Sequence, residues 1–182
     1  IGYRYVVQTL QDRGASDVLF DMNSRYDVPG YGYQIAMGET ALAESWQSRD
    51  YLSHNHCMLG HLYSWLFSGI GGISQESGST AYKRIVIDPQ IVGDLRDARV
   101  SFRSPYGLIR SEWKDAPDEF VQTIEIPANA TARICLPATD PAKVTESGKP
   151  VSGRKDMAVE SGTDGRIELH VGSGVYRIAV EK

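Results

Sequence analysis

Tyr3, Val6, Val7 and Leu10 recur at the i, i+3, i+4, i+7 spacing that sets apolar side chains on one face of a helix, and Gly14 is its stop. Ser16 and Asp17 stand in capping positions ahead of Val18, Leu19 and Met22, so a second short helix follows. It gives way to RYDVPGYG, where Pro29 and Gly30 enforce a break. A third helix is predicted from about Tyr31 to Trp46, carrying Ile35, Met37, Leu42 and Trp46. The segment SRDYLSHN links it to a fourth, from about His56 to Phe67, with Met58, Leu59, Leu62, Trp65 and Leu66 as its apolar face.

From Tyr82 the period changes to that of strands. YKRIVIDP is an apolar run ending at proline, and ARVSFRSPYGLIRSEWK reads as two alternating segments about a Ser-Pro-Tyr-Gly turn. EFVQTIEIPANATARICLP reads as a second hairpin turning at Pro-Ala-Asn-Ala, and GRIELHVGSGVYRIAVEK as a third turning at Gly-Ser-Gly. The glycine-rich SGIGGISQESGST lies between the two patterns. The expected architecture is α+β in two parts, a helical segment over 1–75 and an antiparallel β-sandwich over 76–182.

Composition narrows the function classes. With 182 residues and 41% hydrophobic content the chain can bury a core, and its net charge of −4, with no basic cluster, gives no footprint for nucleic acid. No apolar run reaches the ~18 to 20 residues of a membrane span. IGYRYVV opens directly in a helical pattern without an initiator methionine, so the expectation is a piece of a longer protein. The compartment is left open: cytoplasmic, or periplasmic or extracellular if an export signal precedes it. Cys57 and Cys135 are too few for a disulfide or metal framework and are expected to be buried as small apolar residues. Asn129 to Thr131 match the N-glycosylation triplet in a predicted turn, which alone assigns no compartment.

The chemistry concentrates in GETALAESWQSRDYLSHNHCMLGH, residues 38–61. Glu44 near the end of the third helix and His56 at the start of the fourth would meet at one end of a helical pair, where a carboxylate can act as general base and an imidazole can bind a hydroxyl. The competing reading is two solvated polar residues at helix ends. On a helix, five residues turn by ~500°, so Glu39 and Glu44 would point ~140° apart and would not form a catalytic pair. His54, His56 and His61 have no Cys or Asp completing a ligand set at a recognised spacing, so neither a metal nor another cofactor is expected.

GETALAESW resembles the helix of the α-L-rhamnosidases, glycoside hydrolase family 78, usually met as Gly-Ala-Thr-Thr-Leu-Trp-Glu-Arg-Trp. HNHCMLGHLYSWLFSGIGGI resembles the following helix of that family, with its Asn-His and its glycine-rich end. YKRIVIDPQIVGDLRDARVSFRSPYGLIRSEWK resembles the strands after the family's helical barrel, Ser-Pro-Tyr-Gly followed by Ser-x-Trp being the most specific element, and IEIPANATARICLP and GSGVYRIAV fit the same sheet domain.

The resemblance implies that residues 1 to about 72 are the last helices of an (α/α)6 glycosidase barrel, followed by its β-sandwich. It implies an inverting glycosidase acting on terminal α-L-rhamnose of oligosaccharides, polysaccharides or glycosides. One carboxylate would activate water, and another would protonate the leaving oxygen from the opposite face. The position matching the base is Glu44, and the histidine of Asn-His matches His56, in contact with the sugar. Trp46 and Tyr33, with Tyr31, are candidates to line the pocket by stacking on the sugar, and core packing is the alternative. The acid matches nothing here, so the remaining barrel helices of the same polypeptide are the implied partner and the fragment alone is expected to be inactive. Ala43, Ser45 and Cys57 depart from the usual Trp, Arg and aromatic, which leaves the aglycone open. A different class of reading is a carbohydrate-binding or purely structural sandwich, for which Tyr106, Trp113 and Tyr176 are the aromatic candidates and Trp113 is expected to serve interdomain packing.

Overall fold

The structure, a computed structural model, describes residues 2–182. Chain contacts divide it into two compact units: residues up to Leu66 with Val92–Asp94, and Phe67–Ile91 with Leu95–Lys182.

In the first unit, α1 (Gly2–Asp12) and α2 (Ser16–Ser24) follow the apolar pattern, with Val7 and Leu19 buried. The capping expectation at Ser16 is not met. Ala15 is the N-cap, with no side-chain cap bond, and the buried Ser16 hydroxyl instead accepts from the Trp65 indole N–H at 2.7 Å. That tertiary bond satisfies two buried polar groups, where a cap would satisfy only one end of a helix.

The third helix is much shorter than its periodicity suggests: α3 spans Tyr31–Ala36. Gly38 sits at φ +84°, its amide bonds to the Ile35 carbonyl at 3.0 Å, and the Glu39 amide bonds back to Gln34 at 3.0 Å. This is a Schellman ending, in which a left-handed glycine satisfies the last carbonyls and turns the chain away. The fourth helix is likewise broken. His56 is extended because its amide bonds to the Leu42 carbonyl at 2.6 Å. A 3₁₀ turn over Cys57–Leu59, a four-residue α4 (Leu62–Trp65) and a π turn over Leu66–Ile70 replace the continuous helix. Cys57 is exposed, against the expectation of burial, because it lies on this short turn and not on a packed helix face.

The second unit is a β-sandwich of two sheets. One is ordered β1 (Ile73–Gln75), β2 (Arg84–Ile87), β6 (Thr131–Cys135), β10 (Ile167–Val171), β9 (Ala158–Ser161). The other is ordered β3 (Asp97–Ser104), β4 (Gly107–Asp115), β5 (Glu119–Ile126), β11 (Gly174–Glu181), β7 (Val144–Glu146), β8 (Lys149–Pro150). The Ser-Pro-Tyr-Gly hairpin forms as read, β3 pairing β4 from Asp97↔Lys114 to Ser104↔Gly107. The other two hairpins do not form. β5 pairs β4 and β11 while β6 pairs β10 and, in parallel, β2, so Pro-Ala-Asn-Ala is a crossing between sheets. Gly-Ser-Gly likewise carries the chain from β10 in one sheet to β11 in the other.

The core explains the crossings. Along β5 every second residue is buried, Phe120, Gln122, Ile124 and Ile126, and along β10 Ile167, Leu169 and Val171 are buried. Strands of one pattern can face each other across a core as well as pair side by side, and alternation does not separate the two. Gln122, fully buried, donates to Ser111 Oγ at 3.1 Å on the paired strand. Trp113, also buried, donates its indole N–H to the Ile70 carbonyl at 2.8 Å and stacks on Phe120 with centroids 6.3 Å apart.

Candidate active site around Glu44

Beyond the Schellman turn the chain runs without regular structure from Glu39 to His56, and hydrogen bonds rather than a helix fix its course. Gln34, on α3 and buried, donates from Nε2 to the Ser45 carbonyl at 3.1 Å, and its Oε1 accepts a long bond of 3.5 Å from the Ala43 amide. One side-chain amide therefore holds the backbone on both sides of Glu44. The Glu44 amide donates to the Ser53 carbonyl at 2.8 Å, and the Ser53 amide donates to Glu44 Oε2 at 3.2 Å. With the His56 amide on the Leu42 carbonyl, segments 42–44 and 53–56 are clipped together side by side, and Glu44 and His56 are carried on these adjoining segments. Glu44 is exposed and His56 half-buried.

Neither Glu39 nor Glu44 is on a helix, so the ~140° separation expected of the two on a helical face does not hold. Glu39 is the better sheltered carboxylate, with 12% of its side chain exposed, and it pairs with His54 Nδ1 at 2.7 Å. The hydrogen bond to Glu39 raises the His54 pKa above the ordinary imidazole value. Glu39 also borders a shallow pocket of ≈ 340 Å³, together with Tyr31, Gln34, Ile35 and Leu42. His61 Nδ1 lies 3.1 Å from the Met58 carbonyl, and among the described residues no three His, Cys, Asp or Glu side chains converge as a metal set.

The aromatic candidates separate. Trp46 meets Tyr3 and Tyr31 edge-on at 4.9 and 5.2 Å, a cluster that anchors the start of the 46–53 loop to α1 and α3. Tyr3 is held in turn by a 3.0 Å bond to Asn23 Oδ1. Tyr33 is half-buried on α3 and is not among the residues lining the pocket. In the sequence Glu39 is set aside as a pair partner of Glu44, His54 is weighed only as a metal ligand, and Gln34 is not singled out. Gly38 carried the signal for Glu39, because a glycine after the last periodic residue is a helix stop. Nothing in the sequence marks Gln34.

Residues 1–70 match the sequence profile of the bacterial alpha-L-rhamnosidase 6 hairpin glycosidase domain, and residues 72–150 that of the bacterial alpha-L-rhamnosidase C-terminal domain. An alpha-L-rhamnosidase of Streptomyces avermitilis is 30% identical over 99% of this chain, and one of Formosa agariphila 25% identical over all of it. The chain spans 17% and 19% of those two proteins. Among solved structures, the Streptomyces avermitilis alpha-L-rhamnosidase complexed with L-rhamnose superposes with a TM-score of 0.83 at 29% identity, over 96% of this chain and 17% of that one. The alpha-L-rhamnosidase from Dictyoglumus thermophilum superposes with a TM-score of 0.86 at 27% identity, over 100% of this chain and 21% of that one.

Proposed function

We propose that this chain is the C-terminal portion of an inverting α-L-rhamnosidase of glycoside hydrolase family 78, carrying the general base but not the general acid. The observation that supports this most is the order of the two matches: consecutive alpha-L-rhamnosidase domains, helical then sheet, along one chain that superposes on rhamnosidase structures nearly end to end. The helical part, up to about residue 72, is the last few helices of an (α/α)6 barrel. Exposed Tyr5, Tyr26, Ile35, Tyr51 and Tyr63 are the surface on which the other barrel helices of the same polypeptide pack.

In this reading Glu44 takes a proton from water as the water oxygen attacks the anomeric carbon of a terminal α-L-rhamnose. An acid outside this chain protonates the departing glycosidic oxygen on the opposite face, the two carboxyl groups standing ~6.5 to 9.5 Å apart to admit the water. The Ser53 amide engages Oε2 of Glu44, which orients the carboxylate and leaves its other oxygen for that water. His56 binds a sugar hydroxyl, and Trp46 and Tyr33, both partly exposed, supply aromatic surface to the ring. The substrate is a rhamnose-terminated oligosaccharide, polysaccharide or glycoside.

The test is proton NMR of the first sugar released from an aryl α-L-rhamnoside by the polypeptide that contains this chain with its barrel helices. β-L-rhamnose should appear first and then mutarotate. An α-anomer appearing first, or no hydrolysis, would refute the proposal. The 182-residue chain alone should not turn over the substrate, because it lacks the acid.

A further inference from the structure

Gln34 and the Trp46 cluster tie the loop that carries Glu44 to the helices, and a further link, Glu39 to His54, is between ionisable groups. The Schellman turn fixes the Glu39 backbone to α3 through the Gln34 carbonyl. From that anchor the Glu39 carboxylate reaches His54 at 2.7 Å, 15 residues further along the chain. His54 follows Ser53, whose amide and carbonyl make both bonds to Glu44, and it precedes Asn55 and His56, whose amides bond to Ser53 Oγ at 3.2 Å and to the Leu42 carbonyl at 2.6 Å.

We infer that Glu39 is a positioning residue for the base: through His54 it holds the 53–56 segment against 42–44, so that the Ser53 amide stays on the Glu44 carboxylate and His56 stays at the sugar. This rests on the reading of Glu44 as the base. His54 is on the exposed side of the loop, with 40% of its side chain accessible, and the surrounding loop has no helix or sheet to stiffen it. A sheltered carboxylate anchored to a helix end is a fixed point to which that loop can be tied. Catalytic groups displaced by about 1 Å can lose as much as ~10²-fold in rate, so even a partial loosening is measurable.

The link is sensitive to pH. The groups that act on His54 are the Glu39 carboxylate first, then the Arg49 carbonyl and the Asp50 carboxylate, all of which favour its charged form. A raised pKa means that the charged pair is complete below the ordinary imidazole range and weakens as pH rises through the raised value. The alkaline side of the rate profile is where it should show.

The test uses the polypeptide that contains this chain with its barrel helices, acting on an aryl α-L-rhamnoside. Glu39→Ala and His54→Ala should each lower kcat by about 10-fold with KM nearly unchanged, and the double variant should lose no more than the worse single one. Glu39→Gln, whose amide oxygen can still accept a hydrogen bond from Nδ1–H, should recover most of the rate at neutral pH while its alkaline fall-off moves to lower pH. His54→Ala reads the same link from its exposed end, so a folding defect in Glu39→Ala does not stall the comparison. Single variants within two-fold of the parent, alongside a Glu44→Gln loss of ~10²-fold or more, would overturn the positioning role and leave the base reading intact. A Glu39→Ala loss as large as that of Glu44→Gln and not restored by Glu39→Gln would make Glu39 catalytic, which also overturns it. Parent-like rates in Glu44→Gln would remove the base reading and this inference with it.

Discussion

Glu44 and Ser53 are joined twice, backbone amide to carbonyl at 2.8 Å and backbone amide to carboxylate at 3.2 Å, across nine residues of irregular chain. The carboxylate proposed to activate water is therefore oriented by the loop it belongs to, and the loop is in turn held from α3. Substitutions that loosen the hold should be felt at Glu44 without touching it.

Gln34→Leu is the first such case. It keeps the side-chain bulk but removes the donor to Ser45 and the acceptor for Ala43, so stability should fall by about 1 to 3 kcal/mol and kcat should fall while KM holds. Denaturant melts and steady-state kinetics of the same preparation check both, and an unchanged kcat would mean that the Gln34 bonds do not govern the loop.

Two glycines separate strain from space. Gly38 has open room for a methyl group but sits at φ +84°, so Gly38→Ala should cost only the backbone term, about 1 kcal/mol. Gly72, at φ +69°, adds a Cβ only 2.2 Å from Pro89 N and 2.5 Å from Asp88 C, so Gly72→Ala should be much worse. Equal melting shifts for the two would contradict the packing at Gly72.

The thiols should react unequally. Cys57 is exposed, while Cys135 is buried and burial pushes its thiol up to about 12. A thiol-exchange reagent at pH 8 should titrate one sulfur quickly in the folded chain and the second only on unfolding. Two fast sulfurs would show that the end of β6, where Cys135 lies, is open.

Trp113, expected to pack between domains, offers no face to a carbohydrate: it is buried within the sheet unit, donating to the Ile70 carbonyl and stacked on Phe120. Tyr106 carries the Lys83 ammonium 5.2 Å from its ring, and Tyr176 bonds through its hydroxyl to the Gly172 carbonyl at 3.1 Å. Trp113→Phe should therefore cost about 1 to 3 kcal/mol of stability. Saturable quenching of Trp113 fluorescence by a rhamnoside would contradict its burial.

The division into helices and sheets was legible, since period 3.6 and period 2 each leave a pattern on the chain. Pairing was legible only where a short turn closed it, at Ser104 to Gly107. At Asn129, whose φ is +63°, and at Gly172 the same turn residues serve crossings between sheets. What was hidden around Glu44 has one cause: Leu42 and Trp46 continue a helical period, but Gly38 ends the helix and His56 gives its amide to Leu42. Long-range hydrogen bonds override propensity there, and they are the bonds that shape the site.

The role of Glu44 is tested most directly by chemical rescue of Glu44→Ala in the polypeptide that contains this chain with its barrel helices. Removing the base should lower kcat by ~10²-fold or more. Azide needs no deprotonation, so it should restore turnover by attacking the anomeric carbon from the vacated side, giving the β-L-rhamnosyl azide. An unimpaired Glu44→Ala enzyme, or an α-configured azide, would contradict the account.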